Sequence, residues 1–309
     1  MLGSLLLVVG GWLVLRWVES GPKPPYLDPA RAPVADPRPA PRPSSLLRLA
    51  GSGSNLPLTR ALADAFLAKR PWLRIRVHES IGSTGGIRAV HDGALEIGLS
   101  SRPLKPEEQE LGLVSIPYAR VAVVLAANPT VPLRSVDREQ LVALYSGSEQ
   151  FWSDGSAVVV YQREPGDSGH LAARAAVPGF AEIDEQALAD RRWSVLFHDR
   201  AMQEALVSTP GAVGLFDQGL AVIQDLPLLL LEFDGIRASE DNVRTGRYPI
   251  TKDLAFVLPA DDHDPLAHEF IAFVFSAEGQ KVIRESGYVP LEPPARSAFA
   301  HLRNFAAPP

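Results

Sequence analysis

The chain has 309 residues, of which 46% are hydrophobic and 21% are charged, a composition typical of a folded rather than a disordered chain. The formal net charge is −6, which argues against a nucleic-acid-binding protein because that class carries a basic face. The absence of cysteine excludes disulfides, thiolate metal ligands and cysteine nucleophiles.

The chain begins with a nearly uncharged segment, residues 1–20. Its first eighteen residues, MLGSLLLVVGGWLVLRWV, contain one charge, Arg16, and a helix of this length spans about 27 Å, enough for a thin bilayer. No lysine or arginine precedes the apolar stretch and no A-x-A cleavage site closely follows it, so an uncleaved membrane anchor is favoured over a signal peptide. Either reading places the folded part in the periplasm or another extracytoplasmic space, and the first attaches it to the inner membrane.

A proline-rich segment follows. Residues 21–43 contain nine prolines, which exclude a helix or an inner strand and predict a semi-rigid spacer. The end of the chain, residues 292–309, also predicts a loosely structured tail.

Strand and helix patterns alternate between these segments. Strand patterns lie at 46–50, 73–77, 95–100, 121–127, 157–161, 211–216, 226–233 and 253–258. We expect Asn55 to cap a helix that ends before Pro71, and further helices near 264–275 and 277–286. Because helices separate the first three strands, a parallel α/β sheet is predicted.

Four loops after predicted strands are rich in small hydrogen-bond donors. They are Gly51–Asn55, Ser80–Gly86, Ser100–Arg102 and Arg163–His170. Ligands of open α/β sheets collect at that edge, where helix N-termini present free N–H groups suited to an oxyanion. Serine hydroxyls add neutral donors, and one arginine can bind a phosphate or carboxylate with two parallel hydrogen bonds.

These loops resemble those of the phosphate-binding subunits of bacterial phosphate ABC transporters, two-lobed periplasmic binding proteins of the type II class. The resemblance covers most of 46–291 and rests on the motifs GSGSNLP (51–57), SIGSTGG (80–86), EIGLSSRPL (96–104) and REPGDSG (163–169), with later matches that include YPITK (248–252).

The resemblance implies an α/β fold of two lobes joined by a hinge. Lobe I would combine 46–122 with 250–291, lobe II would span 123–249, and the run 121–127 would cross between them. Phosphate would bind in the cleft for delivery to an ABC transporter permease, with no reaction, metal or cofactor. The implied ligand-binding residues are Ser54, Asn55, Leu56, Ser80, Ser101, Arg163, Asp167, Ser168 and Gly169.

The chain departs from the family pattern at three places. Asn55 stands where the family has a threonine or serine, which keeps a donor but changes its reach. Ser101 stands where some members have an aspartate that accepts the proton of hydrogen phosphate. In the fourth loop, either one residue is inserted or Asp167 replaces a serine. Asp167 could therefore accept the ligand's proton, or it could cap the helix that begins near Leu171.

Three other functions are compatible with the same residues. A protein of this fold could bind molybdate or sulfate, or could serve as an anchored anion sensor or surface protein. The sequence Gly-Asp-Ser-Gly at 166–169 also surrounds the nucleophile of trypsin-like serine proteases, but their fold is all-β, so a serine hydrolase is the least favoured alternative.

Overall fold

A computed structural model describes residues 46–293, which fall within one compact unit of the chain. The predicted anchor (1–20), the proline-rich linker (21–43) and nearly all of the predicted tail lie outside the described residues. Within 46–293, none of the helices combines the length and the apolar character needed to span a bilayer.

The described residues form strands and helices in alternation. The strands are β1 Leu46–Gly51, β2 Arg74–Val77, β3 Ile97–Ser100, β4 Leu113–Ala127, β5 Ser135–Val136, β6 Val159–Arg163, β7 Ser194–Leu196, β8 Ala212–Asp217, β9 Leu229–Leu230, β10 Glu232–Phe233, β11 Thr251–Pro259 and β12 Val289–Pro290. The helices are α1 Leu56–Leu67, α2 Gly82–His91, α3 Pro106–Gln109, α4 Arg138–Ser146, α5 Ser168–Ala176, α6 Phe180–Ala189, α7 Asp199–Ser208, α8 Gln218–Ile223, α9 Glu240–Arg244, α10 Pro265–Val274 and α11 Ala277–Glu285.

One sheet of ten strands runs through the described chain in the order β2-β1-β3-β11-β4-β8-β6-β7, and β9 and β12 also pair with β4. Strand β1 pairs in parallel with both β2 and β3, which confirms the parallel arrangement predicted for the first three strands. Strand β11 lies antiparallel to β3 and β4. Beyond β4, the parallel strands β8, β6 and β7 continue the sheet.

The long strand β4 joins the two halves of the sheet. Its first part pairs with β11, with Val121 opposite Lys252, and its last part pairs with β8, with Val123 opposite Asp217. The apolar run predicted to cross from one half to the other therefore does so. Every residue from Val121 to Ala127 is buried, as expected of a central strand with both faces covered.

Two main hydrophobic clusters lie on either side of this crossing. The first packs Phe66 of α1 against Phe270 of α10, with ring centroids 5.5 Å apart. The second packs Tyr145 of α4 against Phe180 of α6, with centroids 4.9 Å apart. Two cores on one crossing strand agree with a two-lobed α/β fold, whereas the lobe boundaries stay a prediction.

Two local predictions are wrong. Residues 226–233 form two dipeptide strands rather than one, because β9 pairs with β4 while β10 pairs with β5. Asn55 precedes α1, but its side chain makes no capping hydrogen bond because its amide is directed into the core. The backbone instead enters α1 through a short 3₁₀ turn, Gly53–Asn55.

Gly51 ends β1 at a point where a side chain has no space, because an added Cβ would lie 2.1 Å from the Leu99 carbonyl oxygen. We expect Gly51→Ala to lower the free energy of unfolding by about 3 kcal/mol or more, since β1 and β3 would have to separate. Gly93 also has a positive φ, of 70°, but open space around it. As the control, Gly93→Ala should lower the free energy of unfolding by only about 1–2 kcal/mol, because a positive φ is unfavourable for alanine but nothing is displaced. Urea denaturation measures both, and equal losses would contradict this account.

Candidate functional site

The four donor-rich loops meet around a cleft of about 420 Å³. Six of the predicted ligand-binding residues line it, namely Ser54, Ser80, Ser101, Arg163, Asp167 and Ser168. The other three, Asn55, Leu56 and Gly169, are buried behind its wall. The structure thus brings together loops from both halves of the sheet, as expected for strand ends at one edge of a parallel arrangement.

Asn55 is fully buried, and its side chain serves the core rather than the cleft. Its Nδ2 lies 3.3 Å from the Ser100 carbonyl oxygen and 3.3 Å from the Tyr118 hydroxyl. Burial raises the pKa of Tyr118 to about 12. Through its contacts with Ser100 and Tyr118, the side-chain amide of Asn55 ties the first loop to β3 and β4. It does not present its donors to the cleft.

Asp167 is the cap of α5. Its Oδ1 accepts hydrogen bonds from the backbone N–H groups of Gly169 at 2.9 Å and His170 at 3.0 Å. One of the two roles considered for this residue, the helix cap, is therefore present in the structure. Whether Asp167 also accepts a proton from a ligand stays a prediction.

Arg163, the last residue of β6, is a nearly buried cation surrounded by carboxylates. Its Nε donates to Glu164 at 2.9 Å, its Nη1 to Asp199 at 2.5 Å, and its Nη2 lies 3.5 Å from Asp167. Burial alone would lower the pKa of Arg163, but these carboxylates outweigh that effect and raise it. The cation is thus compensated within the chain before any ligand enters.

Asp199 links the two sides of the cleft. It begins α7, on the side of Arg163, yet a Cβ added to Gly53 in the first loop would lie only 2.1 Å from its Oδ2. The carboxylate therefore packs directly on the Gly53 backbone, and no larger residue fits at position 53 while Asp199 keeps this place.

A second, largely buried network supports the backbone of Arg163 from behind. Asp184 of α6 is completely buried and accepts from Gln162 at 2.6 Å, from His170 Nδ1 at 2.9 Å and from Arg174 at 2.6 Å. The other ring nitrogen of His170 accepts from the Arg163 N–H at 3.3 Å. Burial opposes the charge of Asp184, but the hydrogen bonds from His170, Gln162 and Arg174 lower its pKa.

A chain of hydroxyls crosses the floor of the cleft. Ser52 and Ser101 have their oxygens 2.7 Å apart, and Ser101 donates to Ser168 at 2.9 Å. Lys252 of β11 donates to Ser168 at 2.8 Å and to Ser54 at 2.9 Å. The ammonium group thereby connects the first and fourth loops, and Ser168 extends this connection to Ser101 of the third loop.

Lys252 is also paired with Asp217 at the end of β8, with Nζ 2.8 Å from Oδ1. Burial raises the pKa of Asp217, and the positive charge of Lys252 counteracts this in part. Both side chains are less than a tenth exposed. The pair keeps opposite charges together where an isolated charge would be strongly destabilising.

These contacts give Ser168 no general base. Both ring nitrogens of His170 are engaged, with Asp184 and with the Arg163 N–H. Lys252 is an ion-paired ammonium and has no lone pair to accept a proton. The geometry therefore gives no support to the serine hydrolase alternative.

Several residues of the site are absent from the predicted ligand-binding residues, among them Ser52, Glu164, Asp199, Asp217 and Lys252. Asp217 directly follows the predicted strand 211–216, and Lys252 is the last residue of the YPITK motif (248–252). The position of Lys252 directly before the predicted strand 253–258 is the signal that could have identified it, because a lysine that joins a central strand is buried and needs polar partners. Asp199 gave no such signal, since an acid in a first helical turn is ordinary.

Residues 36–278 match the family described as the PBP superfamily domain. This match covers well over half of the chain, and the chain belongs to that superfamily.

Curated relatives and solved structures agree with this assignment and with the resemblance seen in the loops. The phosphate-binding protein PstS of Bacillus subtilis (strain 168) is 27% identical over 258 residues, 80% of this chain and 81% of the relative. PstS of Pseudomonas aeruginosa (strain PAO1) is 24% identical over 281 residues, 82% of this chain and 85% of the relative. A phosphate ABC transporter substrate-binding protein from Clostridium perfringens, solved with bound phosphate, has a TM-score of 0.70 at 24% identity and covers 80% of this chain and 100% of its own.

Asp167 should make stability depend on pH. Burial alone would raise the pKa of Asp167, but the charges of Arg163 and Lys252 hold it below its ordinary value. A depressed pKa stabilises the fold above the unfolded-state pKa of about 4, and that contribution is lost as the pH falls through the folded-state value. Asp167→Asn keeps a capping side chain but no charge. We expect it to be less stable than the wild type at pH 7, and the difference to shrink below pH 4.

Urea unfolding at pH 7, 5 and 3 measures this difference. The control is Asp137→Asn at the exposed cap of α4, where Asp137 accepts from the Gln140 N–H at 2.8 Å. This exchange of one exposed capping residue for another should change little. If the difference in unfolding free energy between the wild type and Asp167→Asn were as large at pH 3 as at pH 7, the electrostatic account would be contradicted.

Proposed function

We propose that the protein binds phosphate, or a similar tetrahedral oxyanion, in the cleft and delivers it to an ABC importer. The observation that carries this proposal is Arg163: a nearly buried guanidinium at the end of β6, beside the N-terminus of α5 and facing serine hydroxyls from both halves of the sheet. The PBP fold and the phosphate-binding names of the relatives support it.

The arrangement suits an oxyanion because its donors are mostly neutral and converge. Ser168, Ser101 and Ser80 line the cleft with hydroxyls, and Arg163 offers a planar set of N–H groups that matches two oxygens of one anion. Since Glu164 and Asp199 engage these groups in the present structure, an entering anion takes over contacts that the carboxylates now make.

The residues behind the wall would contribute differently. The side chain of Asn55 is committed to the core, Leu56 has no polar side chain and Gly169 has none at all. Contacts from these three positions to a ligand would therefore come from their backbones. We assign side-chain contacts to Ser54, Arg163 and Ser168, and we keep Asp167 as a residue that shapes the fourth loop and faces the ligand. Ser80 and Ser101 also line the cleft, but in this structure their hydroxyls donate to the Gly51 carbonyl and to Ser168, so each would turn from that partner to contact an anion.

The proposed lobes are 46–122 with 250–291, and 123–249, with the hinge where β4 and the segment that enters β11 cross from one to the other. The ligand would close the cleft by contacting both lobes at once. This division is supported by the two hydrophobic clusters, one on each side of the crossing.

Calorimetric titration of the full chain, freed of bound anion, with phosphate, sulfate and molybdate tests the ligand. We expect phosphate to bind most tightly. The absence of binding for all three anions would contradict the proposal and favour the anchored sensor or surface protein.

Arg163→Ala tests the residue on which the proposal depends. We expect phosphate binding to weaken by about 2–5 kcal/mol, because a desolvated anion loses its charge-assisted pair. Arg102 is the matched control, since it also lines the cleft but is held by Glu108 through two hydrogen bonds of 2.7 Å. Arg102→Ala should change the affinity far less. An Arg163→Ala protein whose affinity falls by less than about threefold, roughly 0.7 kcal/mol, would show that Arg163 only shapes its loop.

We also propose that residues 1–20 remain attached and anchor the protein to the inner membrane, with the folded part in the periplasm or its equivalent. The support is the sequence pattern of that segment together with the relatives' role in import. The protein should fractionate with membranes, and mass spectrometry should find an N-terminus at or near Met1. A mature N-terminus beyond about residue 20 would establish a cleaved signal peptide.

A further inference from the structure

Lys252 lies below the floor of the cleft, at the point where β11 passes β4. Its ammonium group has three partners: the hydroxyls of Ser54 at 2.9 Å and Ser168 at 2.8 Å, and the Asp217 carboxylate at 2.8 Å. An ammonium has three N–H groups and no acceptor. All three are therefore used, and the group is held in one position with its side chain 6% exposed.

These contacts decide what Ser168 can do. A hydroxyl oxygen accepts at most two hydrogen bonds and donates one. Ser168 accepts from Lys252 at 2.8 Å and from Ser101 at 2.9 Å. Both of its lone pairs are therefore occupied, and its own hydrogen is the group left to face the cleft that Ser168 lines.

The same reasoning orders the rest of the hydroxyl chain. Because Ser101 uses its hydrogen toward Ser168, it must be the acceptor in the 2.7 Å contact with Ser52. Ser54 accepts from Lys252 as well. Of the two hydroxyls that Lys252 contacts, Ser168 is the one that also accepts from Ser101, so both of its lone pairs are occupied.

We propose that Lys252 is a positioning residue that orients the Ser168 hydroxyl as a fixed donor toward the bound oxyanion. The inference rests on the proposed function, since it concerns how the same cleft holds its ligand. A donor that is oriented before binding gains a hydrogen bond without reorganisation of the hydroxyl. It also rejects any ligand that presents an O–H or N–H at this place, because two donors would then face each other.

A double-mutant cycle on the full chain, with inorganic phosphate as the calorimetric probe, tests this role. Ser168→Ala should weaken phosphate binding about 10- to 100-fold, as expected for a hydrogen bond to a charged group. With Lys252 replaced by Met, the hydroxyl is free to turn, so adding Ser168→Ala should weaken binding by less than about threefold. A residue that only supports the fold would not produce this dependence of one substitution on the other.

Lys252→Met leaves the Asp217 carboxylate without its cation, so the cycle is repeated with Lys252→Met and Asp217→Asn combined, which removes both charges. Thermal unfolding checks that each protein is folded. Ser80→Ala is the matched control, because Ser80 lines the same cleft while its hydroxyl bonds the backbone of Gly51 and Gly82. The loss of phosphate affinity caused by Ser80→Ala should be the same with and without Lys252.

The outcomes separate the two proposals. If the wild type binds phosphate and the effects of Ser168→Ala and the lysine substitution multiply to within about twofold in both cycles, Lys252 does not act through Ser168 and this inference is overturned while phosphate binding stands. If the wild type does not bind phosphate, the proposed function fails, and the positioning role falls with it.

Discussion

A guanidinium that is nearly buried has to be compensated, and the arrangement of the cleft follows from how this chain compensates Arg163. Three carboxylates surround it: Glu164 beside it in sequence, Asp167 four residues later and Asp199 from α7. Removal of one partner from such a group is strongly destabilising, since it leaves a buried charge uncompensated. The guanidinium of Arg163 thereby holds three segments together: the loop after β6, the start of α5 and the start of α7.

The second cation has a different role because it lies where the strands cross. Lys252 and Asp217 sit on strands that both pair with β4, opposite Val121 and Val123. Their ion pair is therefore set by the register of the sheet, and a shift of one residue would turn both side chains to the opposite face. The backbone hydrogen bonds of the central strands therefore fix the positions of Lys252 and Asp217. The geometry of the site depends in this way on the stability of the fold.

The sequence predicts those parts of the structure that depend on local patterns. Strand ends that carry glycine and serine have a local signature in the sequence. This signature predicts the strands near 46–50 and 95–100, the loops that follow them, and the cleft positions of Arg163 and Ser168. Contacts between distant residues have none. Lys252 meets Ser54 across 198 positions of sequence. The prediction that Asn55 caps α1 is wrong because the partners of its side chain, Ser100 and Tyr118, lie 45 and 63 residues away in sequence.

The packing of Asp199 on Gly53 has a consequence for energetics. The cleft is not a bare positive site, because the carboxylate of Asp199 already binds Arg163 on one side and packs on the Gly53 loop on the other. For an oxyanion ligand, association would then be a substitution, in which one anionic partner of the guanidinium leaves as another arrives. The measured binding free energy would be the difference between two ion pairs, and evolution could tune it through the leaving carboxylate as readily as through the residues that touch the ligand.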